Sequence, residues 1–333
     1  MKRILLTGCS GFIGYHLAKR LLLDSYIVIG IDNMNSYYDV SLKESRLSGL
    51  IKQPNFNFIN QDISSENILN LIQEDVDIII NLAAQAGVRH SINNPGDYTL
   101  SNLVGFSNIL ELARRKKSRL IYASTSSVYG ANENQPFSEL NIADHPIQYY
   151  AATKRANEIM AHSYSSMYQI ESIGLRFFTV YGPFGRPDMA LFKFTSNILK
   201  GLPIQVFNNG NHIRDFTYID DIVEGIVACI GYTFSENITW NASEPSPEKS
   251  SAPYRIFNLG NSKPVKLLEY VKTIEKLLNK KAIVEYLPLQ KGDVVSTESD
   301  ISLAKKELGY NPKTDVEEGI HNFLQWYKDY YNC

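Results

Sequence analysis

Residues 3–14, R-I-L-L-T-G-C-S-G-F-I-G, run a short apolar segment directly into glycines at positions 8, 11 and 14. An apolar run that stops at a glycine and resumes as F-I-G-Y-H-L-A-K-R-L-L-L reads as a buried strand, a tight turn and a helix. The alternation continues through the N-terminal half. Candidate strands are Arg3–Thr7, Ile27–Ile31, Phe56–Asn60, Ile78–Leu82, Leu120–Ser124 and Ser172–Phe177. Candidate helices are Phe12–Leu23, Glu66–Gln73, Asp97–Lys116, Tyr150–Met167 and Ala190–Leu199. Short apolar runs separated by amphipathic stretches of helical length are parallel strands joined by crossovers.

The expectation is therefore an α/β chain built on a doubly wound parallel sheet, a Rossmann fold, with its ligands at the carboxyl ends of the strands. After about residue 180 the pattern becomes irregular, broken by Pro183, Pro187, Pro203 and the Asn208–Gly210 turn. Residues 1–178 read as a dinucleotide-binding domain that later segments complete, and 179–333 mainly as a smaller α/β lobe for a second ligand. In that lobe Arg255–Leu259 and Ile283–Tyr286 read as short strands, Val316–Tyr330 as a closing helix, and Asn241–Pro253 as an exposed loop.

Composition narrows the function. Lys+Arg and Asp+Glu nearly cancel to a formal charge of −2, which leaves no electrostatic footprint for nucleic acid. Cys9, Cys229 and Cys333 are odd in number and widely spaced, with neither a metal pattern nor a disulfide framework, as expected of a cytoplasmic chain. The opening M-K-R-I-L-L-T is too short for a signal peptide. No stretch approaches the ~18 apolar residues of a membrane span.

The glycine loop is the first candidate site. Gly8 permits the tight turn, Gly11 lets the backbone approach a pyrophosphate beside Phe12 and Ile13, and Gly14 allows helix and strand to pack closely. Strand Ile27–Ile31 ends at Asp32, eighteen residues beyond Gly14, where a carboxylate accepts both ribose hydroxyls of NAD and repels a 2′-phosphate. Lys43 and Arg46 follow; their plain reading is a solvated helix face, with Lys43 also near enough to touch the cofactor.

Tyr150 and Lys154 stand four apart, one turn of a helix. A phenol ordinarily titrates near pH ~10, and a neighbouring ammonium favours the phenolate a general base needs. Tyr149 is a rival by adjacency. Upstream, A-S-T-S-S-V-Y-G at Ala123–Gly130 ends a strand in four successive hydroxyls.

Glycine loop, hydroxyl strand end and Y-x-x-x-K, in this order, resemble the extended short-chain dehydrogenase/reductase family of sugar-nucleotide epimerases and dehydratases. The resemblance implies a Thr125–Tyr150–Lys154 triad, with Lys154 also on the nicotinamide ribose. It places Asp32 and Asn33, Asp62 and Ile63, and the strand-end loop Asn81-Leu82-Ala83-Ala84-Gln85 along the NAD cofactor, with Asn102 and Phe177 beside its nicotinamide half. Four segments resemble UDP-glucuronate 4-epimerases in particular: D-N-M-N-S-Y-Y-D (Asp32–Asp39), A-A-Q-A-G-V-R (Ala83–Arg89), R-F-F-T-V-Y-G-P-F-G-R-P-D-M-A (Arg176–Ala190) and R-D-F-T-Y-I-D-D-I (Arg214–Ile222).

Dehydratases and decarboxylases of the family carry an acid after the triad Thr, where this chain has Ser126 and Ser127. The implied activity is thus C4 epimerisation of UDP-glucuronate to UDP-galacturonate through a transient 4-keto sugar. Thr125, Ser126, Ser127 and Thr179 would grip the carboxylate, Arg89 and Arg186 would assist, Arg214 would hold the diphosphate, and Gln290 and Asp293 the uridine side. Gln148 and His90 depart from residues usual in the family. Two alternatives stay open: a UDP-glucose or UDP-N-acetylglucosamine 4-epimerase, and a non-catalytic NAD-binding scaffold. Asp220 and Asp221 read as carboxylates complementing a helix start, and no metal is assigned. The resemblance also implies a homodimer, paired through Asp97–Lys116 and Tyr150–Met167.

Overall fold

The computed structural model describes residues 1–234 and 240–333. All six expected strands form: β1 (Arg3–Thr7), β2 (Ile27–Asp32), β3 (Phe56–Asn60), β4 (Ile78–Asn81), β5 (Arg119–Thr125) and β6 (Ser172–Phe177). A seventh, Tyr254–Leu259, pairs with β6 from far along the chain. The order is Tyr254–Leu259, β6, β5, β4, β1, β2, β3, and every pairing is parallel. The order turns back between β1 and β4, so a crevice opens there at the carboxyl ends of the strands.

Both faces of the sheet are covered. Ile4, Leu6, Val28, Ile78 and Ile80 pack with Leu17 and Leu21 of helix α1 (Phe12–Leu23) and with Ile222 and Ile226 of helix Ile219–Ile230. Leu5, Ile29, Ile31 and Ile79 point the other way, onto Phe106, Ile109 and Leu110 of helix Gly105–Lys116. Burial on two sides makes each strand an unbroken apolar run, which is why the strands stand out in the sequence.

Where expectation and structure part, packing explains it. Glu66–Gln73 contracts to one turn, Ile68–Leu71, because only Ile68 of that turn is buried. Asp97–Lys116 is continuous but not uniform: Pro95–Tyr98 leads into a π-helical turn, Thr99–Val104, before the regular helix. Helix α2 (Val40–Leu50) has a weak apolar pattern and is started by Asp39, whose carboxylate accepts from the Ser41 amide at 2.9 Å. Leu267–Leu278 and Ser302–Leu308 are further helices in the stretch that reads as irregular. The loop expected over Asn241–Pro253 is continuously exposed only over residues 241–245; Glu248, Ser250 and Ala252 are buried against the sheet edge. The C-terminal part adds three two-stranded pairs, among them Thr179–Tyr181 with Phe216–Tyr218 and Pro203–Val206 with Ile283–Tyr286.

Two glycines test this packing in opposite senses. A Cβ at Gly14 would lie 2.0 Å from the Gly8 carbonyl oxygen, whereas one at Gly49, in α2, meets nothing within 4 Å. Gly49→Ala is expected to stabilise the fold by about 0.5–1 kcal/mol and Gly14→Ala to destabilise it by about 1–3 kcal/mol, read as opposite shifts of the urea midpoint.

Candidate active site

A cleft of about 1220 Å³ lies over the crevice between β1 and β4 and continues into the C-terminal part. Single-ligand pockets occupy roughly 300–1,000 Å³, so this one accommodates a dinucleotide and a second ligand.

Its floor is the turn after β1. Gly8 adopts φ +71°, and a Cβ there would come within 2.8 Å of the Ala83 nitrogen. The loops after β1 and β4 are sewn together at that point: the Thr7 hydroxyl donates to Asn81 Oδ1 at 2.6 Å and accepts from the Ala83 amide at 3.1 Å. Asp32, at the end of β2, accepts from the amides of Ser10 and Met34 at 3.1 and 2.9 Å and lines the cleft. Asn33 donates to the Asp62 carboxylate at 2.7 Å. Phe12, Ile13, Ile63, Leu82, Ala84, Gln85 and Phe177 complete this half. A side-chain-free cradle at a helix N-terminus, with a carboxylate at the end of the next strand, fits a dinucleotide pyrophosphate and its ribose.

Lys43 and Arg46 correct the solvated-face reading. They are 5% and 0% exposed, because α2 packs against α1 and turns both inward. The Lys43 ammonium reaches Asn35 Oδ1 at 2.9 Å and lies 4.0 Å from Asp32, at the cleft wall. Arg46 runs behind the glycine loop. Asn102 is a second correction: it does not line the cleft. From the π-helical turn it accepts from the Gln85 amide at 2.8 Å and donates to the Gln85 carbonyl at 3.1 Å, holding the strand-end loop from behind.

Tyr150 and Lys154 occupy helix Tyr149–Tyr168 and both face the cleft. Tyr149 is eliminated as a rival. It is 40% exposed on the other side of the helix, with its hydroxyl 2.6 Å from that of Thr99. Burial raises the Tyr150 phenol above its usual value, opposed by the Arg186 charge and a hydrogen bond with Thr125. The Arg186 charge thus favours the phenolate, and Lys154 lines the same cleft one helical turn further along. Burial pushes Lys154 itself down to about 8, and Glu158 pulls it back up.

Glu158, one turn further along, anchors this machinery. Fully buried, its carboxylate accepts from Arg176 Nε and Nη2 at 2.9 Å each, from Arg155 Nη1 at 2.8 Å and from the Ser124 hydroxyl at 2.5 Å. Ser124 also lines the cleft, but its hydroxyl is engaged by Glu158, which leaves Thr125, Ser126, Ser127 and Thr179 as the hydroxyls free to meet a ligand. The Thr125 side chain accepts from the Ser127 amide at 3.2 Å, setting the turn after β5.

Arg186 enters from the loop before helix Ala190–Lys200. Its Nε and Nη2 bind Asp188 at 2.9 and 2.6 Å, and Asp188 accepts from the Tyr37 hydroxyl at 3.1 Å. Arg89, expected to assist at the carboxylate, is instead paired with Asp293 at 3.1 Å and lies 4.5 Å over the Phe207 ring. Arg214 donates to the carbonyls of Ile213, Val294 and Val295 and is lowered to about 10, chiefly by burial. Gln290 does not line the cleft; its carbonyl closes a turn that presents Asp293. Tyr37, His90, Gln148, Asp188, Phe207 and His212 line it without having been singled out as site residues. Tyr37 and Asp188 fall inside segments that carry the resemblance, whereas Phe207 and His212 bear no local signal. Asp221 accepts from the amides of Lys313 and Thr314 at 3.0 and 3.1 Å, tying down the approach to the last helix. Among the described residues no cluster of His, Cys, Asp or Glu could hold a metal ion.

A family model described as "NAD dependent epimerase/dehydratase family" matches residues 4–242. Protein CapI of Staphylococcus aureus is 49% identical over 334 residues, covering 99% of both chains. The probable UDP-glucuronate 4-epimerase of Rhizobium meliloti is 45% identical over 338 residues, covering 99% of this chain and 98% of that one. Among solved structures, the UDP-glucuronic acid 4-epimerase of Bacillus cereus in complex with UDP-glucuronic acid and NAD matches with a TM-score of 0.89 at 32% identity, over 99% of this chain and all of that one.

Burying Lys154 costs stability wherever it is charged in both folded and unfolded chain. With its folded value near 8 and its ordinary value 10.5, that cost is complete below pH 8 and disappears between pH 8 and 10.5, where only the unfolded chain still binds the proton. Lys154→Met is therefore expected to raise the melting midpoint by a few degrees at pH 7, with the advantage fading above pH 8, as scanning calorimetry at several pH values would show.

Proposed function

Because the chain belongs to the NAD dependent epimerase/dehydratase family, we propose that it inverts C4 of UDP-glucuronate to give UDP-galacturonate. The observation that carries the reading is the wall of neutral hydroxyls, Thr125, Ser126 and Ser127, on the same cleft as Tyr150 and Arg186. An eliminating or decarboxylating enzyme needs a further acid at that wall, and serines stand there. Full-length likeness to the Rhizobium and Bacillus epimerases supports the same substrate.

Tyr150 takes the C4 hydroxyl proton as the sugar is oxidised and gives it back after the sugar has turned over. Bound NAD supplies the oxidant for C4 and returns the same electrons, so each cycle consumes none. The 4-keto uronic acid is a β-keto acid, which loses carbon dioxide once its C5–C6 bond lines up with the carbonyl π system. Thr125, Ser126, Ser127 and Thr179 hold the carboxylate out of that alignment by directed hydrogen bonds, and Arg186 neutralises it. Neutral donors release the sugar ring for rotation more readily than a cluster of ion pairs would. Arg214 keeps the diphosphate in place meanwhile, with Arg89 and Asp293 at the nucleotide end.

The product is an activated uronic acid of the kind that polysaccharide assembly consumes. The buried free thiols Cys9 and Cys229 suit the cytoplasm. Leu100, Val104, Ile159 and Met167 are 43–59% exposed on the two helical segments 99–116 and 149–168, an apolar face that supports a homodimer.

Incubating the purified protein with UDP-glucuronate and no added NAD is expected to yield UDP-galacturonate by anion-exchange chromatography, with little pentose nucleotide. Comparable turnover of UDP-glucose would overturn the choice of sugar. Tyr150→Phe is expected to lower kcat by about 10²–10⁴-fold with NAD still bound, and Tyr149→Phe to change it less than twofold, its hydroxyl lying outside the cleft.

A further inference from the structure

Arg46 is fully buried, yet its hydrogen-bond partners are all neutral. Nη1 donates to the Ser10 carbonyl at 2.9 Å and to the Tyr38 hydroxyl at 2.7 Å; Nη2 donates to the Phe184 carbonyl at 2.7 Å. Its carbon lies 5.5 Å from the Tyr38 ring centroid, and its Nε has no partner. Among the described residues no ion pair includes it, the nearby Asp32 being matched instead with Lys43. A buried guanidinium without a carboxylate is expensive, and a simple structural strut would be less so if apolar.

Its two carbonyl partners lie in loops of opposite function. Ser10 belongs to the glycine loop, directly before Gly11. Phe184 belongs to the loop 182–188 that delivers Arg186 and Asp188 to the sugar end of the cleft. That second loop is held in an uncommon conformation: Phe184 has φ +57°, which non-glycine residues keep only where their surroundings impose it. The surroundings come largely from the cofactor half. His16 of α1 bonds the Pro183 carbonyl at 2.9 Å, Tyr15 packs on the Phe184 ring at 4.9 Å, and Arg46 holds its carbonyl. Trp326 of the last helix closes the other side at 4.9 Å.

We propose that Arg46 couples the two halves of the cleft: a dinucleotide anion on the glycine loop settles the Ser10–Arg46–Phe184 bridge and thereby fixes the loop that presents Arg186. The positive charge behind the glycine loop suits a pyrophosphate, and the bridge transmits its arrival through two hydrogen bonds of one rigid planar group. Arg186 then meets the sugar carboxylate from a set position only after the oxidant is in place. Binding of either ligand tightens the other by the same factor, as linkage requires. Only Arg186's task rests on the proposed activity; the bridge does not.

Hydrogen exchange separates the two. In the wild type, residues 182–189 are expected to exchange at least fivefold more slowly in NAD-loaded protein than after NAD has been dialysed away. Arg46→Lys, which keeps the charge but not the fork, and Tyr38→Phe, which removes one acceptor, should lose all and part of that difference respectively. Protection at residues 8–14 should survive in both. In Arg46→Lys, UDP-glucuronate should no longer tighten NAD binding, whereas in the wild type it should do so fivefold or more. A wild-type loop indifferent to NAD would overturn the coupling even if the variants fail to fold. So would full loop protection in Arg46→Lys. Failure of the wild type to convert UDP-glucuronate would instead remove the proposed activity and leave the exchange result standing.

Discussion

The arrangement depends on a carboxylate that no solvent reaches. Glu158 gathers Ser124 from the end of β5, Arg176 from β6 and Arg155 from its own helix, and it lies one turn from Lys154. Each of those segments is also a wall of the cleft: Thr125 follows Ser124, Phe177 follows Arg176, and Tyr150 precedes Arg155 and Glu158 on the helix. A buried pair of this kind contributes little net stability compared with well-packed apolar groups, but removing one partner leaves a charge stranded, at about 3–5 kcal/mol. What the hub provides is register. With four directed bonds it allows one relative placement of helix and strands, and that placement aims the tyrosine, the lysine and the hydroxyl wall into one space.

A second theme is the conversion of cheap backbone groups into rigid supports. Thr7 and Asn81 fasten the loops after β1 and β4. Asn102, from a π-helical turn, satisfies both backbone groups of Gln85, a use of such turns that recurs at functional sites. Loops that carry a cofactor cannot be stabilised by burying apolar side chains, because the ligand must occupy that side. They are tied from behind by polar side chains instead, and these supports account for many of the buried polar residues around the cleft.

Much of the site is legible in the sequence. The glycine turn, Asp32, the strand ends and the Tyr150–Lys154 pair depend on contacts within one strand–turn–helix unit or one helical turn, where spacing dictates geometry. The misreadings are of another kind. Lys43 and Arg46 look like ordinary surface charges because nothing local announces that α2 turns them inward. Gln290 matches a motif position, yet the turn it closes brings Asp293 to the cleft instead.

By itself, then, the chain determined the alternating sheet, the dinucleotide turn and the candidate base, since these follow from periodicity and from short-range sterics. Tertiary structure alone decided that Tyr149 turns outward, that the Arg186 charge reaches the Tyr150 phenol, and how the cofactor loop is joined to the sugar loop. The physical reason is distance along the chain: Arg46 and Phe184 are 138 residues apart, and a hydrogen bond between them exists only after two separately encoded units have packed against each other.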